Sequence, residues 1–329
     1  MTLVAPALEA FFTERLCQQR QASPHTVTAY RDTFRLLLAF ARDRTGRQPA
    51  KLDFADLDAE LIASFLQHLE RDRHNSVRTR NARLAAIRSF FRYASYREPG
   101  HAALIQHVLA IPEKRTRRRV VCYLTGAEID ALLAAPDRTS WTGRRDHALL
   151  ALTVQTGVRV AELTALRRSD VVLTTGPHIQ IEGKGRKQRV TPLTRHSVAV
   201  LKTWLAERAG QPDDPLFPSR RHTPLSHDAV ADLVAKHAAT ASVAHPSLRA
   251  KNVTPHTLRH TCAMSLLAAG IDIAVIALWL GHEHIQTTQI YLHGDLTIKQ
   301  RALARTAPPT TPPGRYRPTD ALLAFLDGL

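Results

Sequence analysis

A His and an Arg three residues apart, His256 and Arg259, would share one face of a helix. A second His, His282, stands just past the apolar run IAVIALWLG, and Tyr291 follows nine positions later. That gap is too wide for one helical face, so the chain must bend back to bring these side chains together. Residues of these types suit a phosphate. Arg offers a planar fork of donors to phosphate oxygens. His carries a proton near neutral pH. Tyr carries an oxygen nucleophile that stays weak until its proton is removed. Singly, each has a plainer reading: H-x-x-R is ordinarily a solvated helix face, and a Tyr near a helix end is ordinarily half-buried packing. The set, in this order, points to chemistry.

The whole chain agrees with an anionic partner. It has 329 residues, enough for two domains of ordinary size, and 44% of them are hydrophobic, enough to bury real cores. Lys and Arg number 45 against 29 Asp and Glu, a formal charge of +16. Such an excess argues for a polyanion, most simply nucleic acid. The three Cys (Cys17, Cys122, Cys262) are scattered, which fits free thiols in a reducing cytoplasm. There is no H-E-x-x-H and no Cys/His quartet, so neither a metal nor another cofactor is expected. No window approaches the roughly 18 apolar residues of a membrane span, and the first residues lack a signal-peptide pattern.

The elements that must position these groups are mainly helical. Residues 3–20 read as an amphipathic helix. Ser23-Pro24 starts a second helix to about residue 44, where Gly46 and Pro49 stop it. A third is expected from about Asp58 to Arg71. A fourth starts near Ser76, with Leu84, Ile87, Phe90, Phe91 and Tyr93 inward and Arg78, Arg80, Arg83, Arg88 and Arg92 outward. Residues 110–122 carry Lys114, Arg115, Arg117, Arg118 and Arg119, a basic linker suited to a phosphate backbone. Thr125 to Glu128 is a capping box, followed by a central helix over about 143–156 and a short one near Val160. Alternation in HIQIE and QRVTPL predicts two strands joined at GKGRK. Helices follow at about 195–208 and 226–241. Between them, Arg220, Arg221 and His222 are candidate backbone contacts. Two more helices precede His282. Beyond Tyr291 a helix is expected over about 295–305. A Pro-rich strap and the apolar stretch TDALLAFLDGL follow, the latter too short to be stable undocked.

Read together, His256-Thr257-Leu258-Arg259, Leu280-Gly281-His282 and Tyr291 resemble the C-terminal signature of the tyrosine recombinase (phage integrase) family. The stretch TGVRVAELTAL resembles the family's first Arg motif, and GKGRKQR resembles its Lys-bearing hairpin. SPHTVTAYRDTFRLLLAF and SVRTRNARLAAIRSFFRYA resemble helices of its core-binding domain.

The resemblance implies a mainly α, two-domain protein: a helical, SAM-like core-binding domain and a larger α+β catalytic domain with a small antiparallel sheet. The boundaries expected are 1–109, a linker 110–122, a catalytic domain 123–307, and a strap with docking helix 308–329. It assigns catalysis to Arg159, Lys184, His256, Arg259, His282 and Tyr291, with Glu162 as an orienting partner. Arg159 falls at a helix start, where backbone N–H groups would also favour an anion. Lys187 and Arg189 are neighbours that compete with Lys184 for its role. His260 and His284 fall outside the family's catalytic pattern.

Implied too are a 3′-phosphotyrosine intermediate needing neither metal nor ATP, double-stranded DNA as partner, and a cytoplasmic, nucleoid-associated location. A homo-oligomer, tetrameric in synapsis, would form through the C-terminal helix, with room for a related recombinase subunit. Because the chain starts on the first core-binding helix, no arm-binding domain is expected. That places it with Xer-like, integron or transposon-borne enzymes. The alternatives are a type IB topoisomerase, which rejoins the same strand, a DNA-binding protein without chemistry, and an RNA-binding protein.

Overall fold

The computed structural model describes residues 2–116, 121–183, 187–207 and 210–293. Lys184, Arg117, Arg118, Arg119, the helix expected over 295–305 and the C-terminal docking helix lie outside the described residues. The chain divides into two compact units, Met1–Arg118 and Arg119–Leu329.

The first unit is helical. The single helix expected over 3–20 is instead α1 (Val4–Ala10) running into a π-helical stretch, Phe11–Gln19. Its buried residues are Val4, Ala7, Phe11 and Leu16. The last step, five residues long, fits the wider π turn, and the N–H of Arg20 accordingly donates to the carbonyl of Arg15. The second helix, α2 (Pro24–Thr45), begins at Ser23, whose hydroxyl accepts from the Thr26 N–H, and ends at left-handed Gly46. Asp58 caps α3 (Ala59–Arg71) and Ser76 caps α4 (Val77–Ala94), both as expected. A short apolar helix, α5 (Ala102–Ala110), was not anticipated. It has no side-chain cap and forms because Ile105 and Val108 find the core. At the centre Phe11, Phe34 and Phe90 meet edge to face, with centroids 5.4 to 6.3 Å apart. Each such pair contributes about 0.5–1.5 kcal/mol beyond the area it buries.

The outward arginines of α4 divide into two sets. Arg78 and Arg92 are exposed. Arg80 is buried and donates to Asn81 Oδ1 and the Pro112 carbonyl. Arg83 donates to Thr33 Oγ1, and Arg88 to the Ile111 carbonyl and Glu113. The chain leaving α5 runs back along α4, and its carbonyls, outside any helix, take donors from that helix.

In the second unit α6 (Gly126–Ala134) starts on the Thr125–Glu128 capping box. Glu128 also accepts from Ser247 and Lys251, tying α6 to the approach of α11. Burial would raise its pKa, but Lys251, the Thr125 amide and Ser247 together hold it at about 2. The central helix α7 (Trp141–Thr156) is buried almost all round and ends at left-handed Gly157. The short α8 (Val160–Ala165) follows. The sheet, ordered β1-β2-β3 and antiparallel, comprises β1 (Val171–Val172), β2 (His178–Glu182) and β3 (Gln188–Pro192). The two longer strands are the expected ones: Ile179 and Ile181 point inward between exposed Gln180 and Glu182. Then come α9 (Arg195–Ala206), α10 (His227–Ala244) capped by Ser226, α11 (Pro255–Ala268) and α12 (Ile273–Leu280). A buried chain of Arg145, Asp146 and His237 links α7 to α10, with Asp146 Oδ2 2.9 Å from His237 Nε2.

Candidate active site

Two helices, α7 and α12, stop at left-handed glycines, Gly157 (φ 62°) and Gly281 (φ 64°). Helix ends leave carbonyls without intrahelical partners and carry partial negative charge, which favours cations. Both ends are filled by arginines. Arg259, on α11, donates Nη1 to the Gly157 carbonyl at 2.5 Å and Nη2 to the Leu280 carbonyl at 2.6 Å. Arg159, just before α8, donates Nη2 to the next carbonyl, that of Gly281, at 2.8 Å. Two arginines a hundred residues apart thus hang on adjacent carbonyls. At either glycine a side chain would be strained by the left-handed backbone and would push a neighbour aside. A Cβ at 157 would meet Leu280 Cδ2 at 2.6 Å, and one at 281 would meet Arg189 Nη1 at 2.8 Å.

Glu162 locks this half of the site. Its carboxylate accepts from Arg159 Nη1 and from the Arg159 backbone N–H, both at 2.8 Å. It also accepts from Arg189 Nη1 at 2.9 Å and Nη2 at 2.7 Å. Burial alone would raise its pKa, but Arg189 and Arg159 hold it at about 2, so it stays ionised. Glu162 thus bridges Arg159 and Arg189. At this helix start the Arg159 backbone N–H is taken by the ionised Glu162 carboxylate. Arg259 is 2% exposed, and burial with the nearby Arg159 charge lowers its pKa to about 10, so it remains cationic at neutral pH.

Arg189, which the sequence offers only as a competitor of Lys184, instead pairs with Glu162. The signal lay in the two-residue period of β3, which puts Arg189 on the same side as buried Thr191. At the neck of the hairpin the Gly183 N–H donates to the Lys187 carbonyl, and a Cβ there would come within 3.3 Å of Glu162 Oε1. The hairpin that carries position 184 therefore abuts the arginine cluster.

His282 follows α12 directly. Its Nδ1 lies 2.7 Å from Thr288 Oγ1. Burial, then Arg259 and Arg159, lower its pKa to about 4, so the ring is neutral. Tyr291 is 1% exposed and packs among Cys262, Ala263, Met264, Ile276 and Leu280. Burial raises its pKa to about 12, against the opposing pull of Arg259. Its hydroxyl lies 3.0 Å from Nδ1 of His260, the other residue that sequence reasoning set aside. His256, exposed at the start of α11, meets the His260 ring edge to face at 4.1 Å between centroids. Arg159, Arg259, Glu162, His256, His282 and Tyr291 thus gather in one place.

The expected DNA-contacting residues behave variously. Arg78, Arg115, Arg220 and Arg221 are exposed. Lys114 is ion-paired with Glu70 at 2.7 Å. Arg80, Arg83 and Arg88 hold their own unit together instead.

Residues 122–297 match the phage integrase family, and residues 10–98 match the phage integrase N-terminal SAM-like domain. The chain is 55% identical over 326 residues to y4rC of Sinorhizobium fredii, an integrase/recombinase by name, covering 99% of this chain and 98% of that protein. It is 32% identical to the tyrosine recombinase XerC of Pelobacter propionicus, across 87% of this chain and 90% of the relative. Among solved structures, XerH in a post-cleavage complex with a palindromic difH substrate shares the fold. Its TM-score is 0.63 at 23% identity, over 87% of this chain and 81% of that one. The chain belongs to the phage integrase family, the tyrosine recombinases, which cleave and rejoin DNA strands.

Proposed function

We propose that this chain recombines duplex DNA site-specifically, with Tyr291 as the nucleophile that becomes joined to a 3′ phosphate. The observation that carries the reading is the seating of Arg159 and Arg259 on the adjacent carbonyls of Gly281 and Leu280. A phosphodiester gains negative charge on its non-bridging oxygens as it is attacked, and two fixed guanidinium groups are placed to meet that charge. Held before substrate arrives, they need no reorganisation at the moment of reaction.

Tyr291 attacks phosphorus and the 5′ oxygen departs. Lys184 protonates that oxygen, an assignment supported by the motif and by the nearness of its hairpin to Glu162. His282 donates from Nε2 to the phosphate once Nδ1 has accepted from Thr288. His256 faces the phosphate from the exposed start of α11. Glu162 and Arg189 hold Arg159 in register. Because the phosphotyrosine keeps the energy of the broken bond, a 5′-hydroxyl from a partner duplex can displace Tyr291 without ATP. Exchange between two duplexes takes four cleavages, hence four protomers, joined through the C-terminal helix over 308–329 or with a related recombinase as partner. Exposed Arg78, Arg115, Arg220 and Arg221, with the basic run through Arg117, Arg118 and Arg119, serve the phosphate backbone. Among the described residues no helix is long and apolar enough to cross a membrane, and the nucleoid is the site of action we propose. The test is an SDS-resistant protein–DNA adduct, formed by the wild-type chain and lost in Tyr291→Phe. An adduct that persists in that variant overturns the assignment.

A further inference from the structure

The nucleophile needs a base, and the motif histidine, His256, is one helical turn from the group that touches Tyr291. The described polar neighbour of the phenolic oxygen is His260, whose Nδ1 lies 3.0 Å away. The two rings stand 5.5 Å apart, edge to face. His256 in turn meets His260 on its other flank and is exposed. The three rings thus form a line from solvent, through His256 and His260, to the buried hydroxyl.

We propose that His260 is the catalytic base that removes the proton from Tyr291, and that His256 connects it to solvent. This rests on Tyr291 being the nucleophile. In the step, the Oη–H bond breaks and the proton moves to His260 Nδ1. The freed electron pair on Oη forms the bond to phosphorus. The bond from phosphorus to the 5′ oxygen breaks, and that oxygen takes a proton from Lys184. His260 ends one proton richer and Lys184 one poorer. The attack of a 5′-hydroxyl in the rejoining step restores both.

The same geometry keeps the proton on Tyr291 before substrate arrives. Burial, then His256 and Arg259, lower the His260 pKa to about 4, while that of Tyr291 stands at about 12. Across so wide a gap the proton stays on the phenol. The charged or titratable groups facing the pair include His256, His282, Arg259, Arg159 and Cys262. A scissile phosphate against the two arginines brings negative charge to the groups that depress His260, and so makes it more basic when substrate is in place. The same charge offsets the pull of Arg259 and Arg159 that lowers the Tyr291 pKa, so the proton passes to His260 only as Oη bonds to phosphorus.

The experiment uses nicked duplex oligonucleotides tiling the DNA on either side of the protein's own gene, each tile prepared with a normal or a 5′-bridging phosphorothiolate linkage. The sulfur leaving group needs no acid, so the second series isolates activation of Tyr291. The readout is the rate of SDS-resistant adduct formation. His260→Ala and His260→Asn are both expected to slow it by about 100-fold or more on either linkage, with duplex binding retained. Asn keeps an acceptor near the place of Nδ1 but cannot take a proton, so it separates a base from a mere positioning contact. Near wild-type rates in His260→Asn overturn the proposal, as does rescue of His260→Ala by the phosphorothiolate. Absence of any wild-type adduct, or an adduct in Tyr291→Phe, overturns instead the nucleophile assignment beneath it.

Discussion

The two halves of the candidate site differ in readiness. The arginine half is assembled in advance: Arg159, Arg259 and Arg189 each make two or more described hydrogen bonds, all to Glu162 or to carbonyls at helix ends. The tyrosine half is parked. Tyr291 sits in a single 3₁₀ turn, Gln289–His293, 1% exposed and protonated, with its hydroxyl on His260. The difference teaches where the fold places its rigidity: in the groups that meet charge, not in the group that forms the bond.

That contrast can be broken from either side. The largest effect belongs to the parked half. Tyr291→Phe should bring adduct formation below detection while gel-shift binding of duplex DNA persists, since the substitution removes one oxygen from a buried ring. Arg159→Ala should follow, slowing cleavage by about 10²–10³-fold in single-turnover assays, because one of two fixed donors to the developing charge is gone. Arg259→Ala should do the same and also cost roughly 2–4 kcal/mol in a denaturant melt, since the Gly157 and Leu280 carbonyls lose their donors. If Arg259→Ala cleaves slowly but melts normally, the arginine half is less preassembled than its hydrogen bonds indicate.

Glu162 tests the lock. Its folded pKa of about 2 lies below its ordinary value of 4.5, so the stability it confers is complete above about pH 4.5 and is lost as pH falls towards 2. The shift corresponds to about 3 kcal/mol across that window. Glu162→Gln should flatten this part of the stability–pH profile and slow cleavage by about 10-fold as Arg159 and Arg189 loosen. The smallest effect is expected of Gly281→Ala. A Cβ there crowds Arg189 and occupies a left-handed conformation, costing about 1–3 kcal/mol in a melt and shifting His282 slightly.

Much of this architecture is legible in the amino-acid sequence. Capped helices read well because Ser23, Asp58, Ser76, Thr125 and Ser226 are local signals, each satisfied within three residues. The strands read well because HIQIE alternates cleanly. The site residues stand out by motif order, while their convergence is an inference that the sequence alone does not display. What escapes depends on long-range contact. The π turn at Phe11–Gln19 answers to where Leu16 must reach, and α5 exists because a core receives it. Arg80, Arg83 and Arg88 look like a solvated face because the returning carbonyls of Ile111 and Pro112 leave no mark on the pattern of α4. His260 and Arg189 stand beside the motif positions, and only the fold shows them touching Tyr291 and Glu162.

The most direct test is to digest the SDS-resistant adduct with protease and nuclease and identify the linked residue by mass spectrometry. The account predicts one modified peptide, carrying a 3′-nucleotide on the oxygen of Tyr291. A linkage on any other side chain, or through a 5′ phosphate, would contradict it.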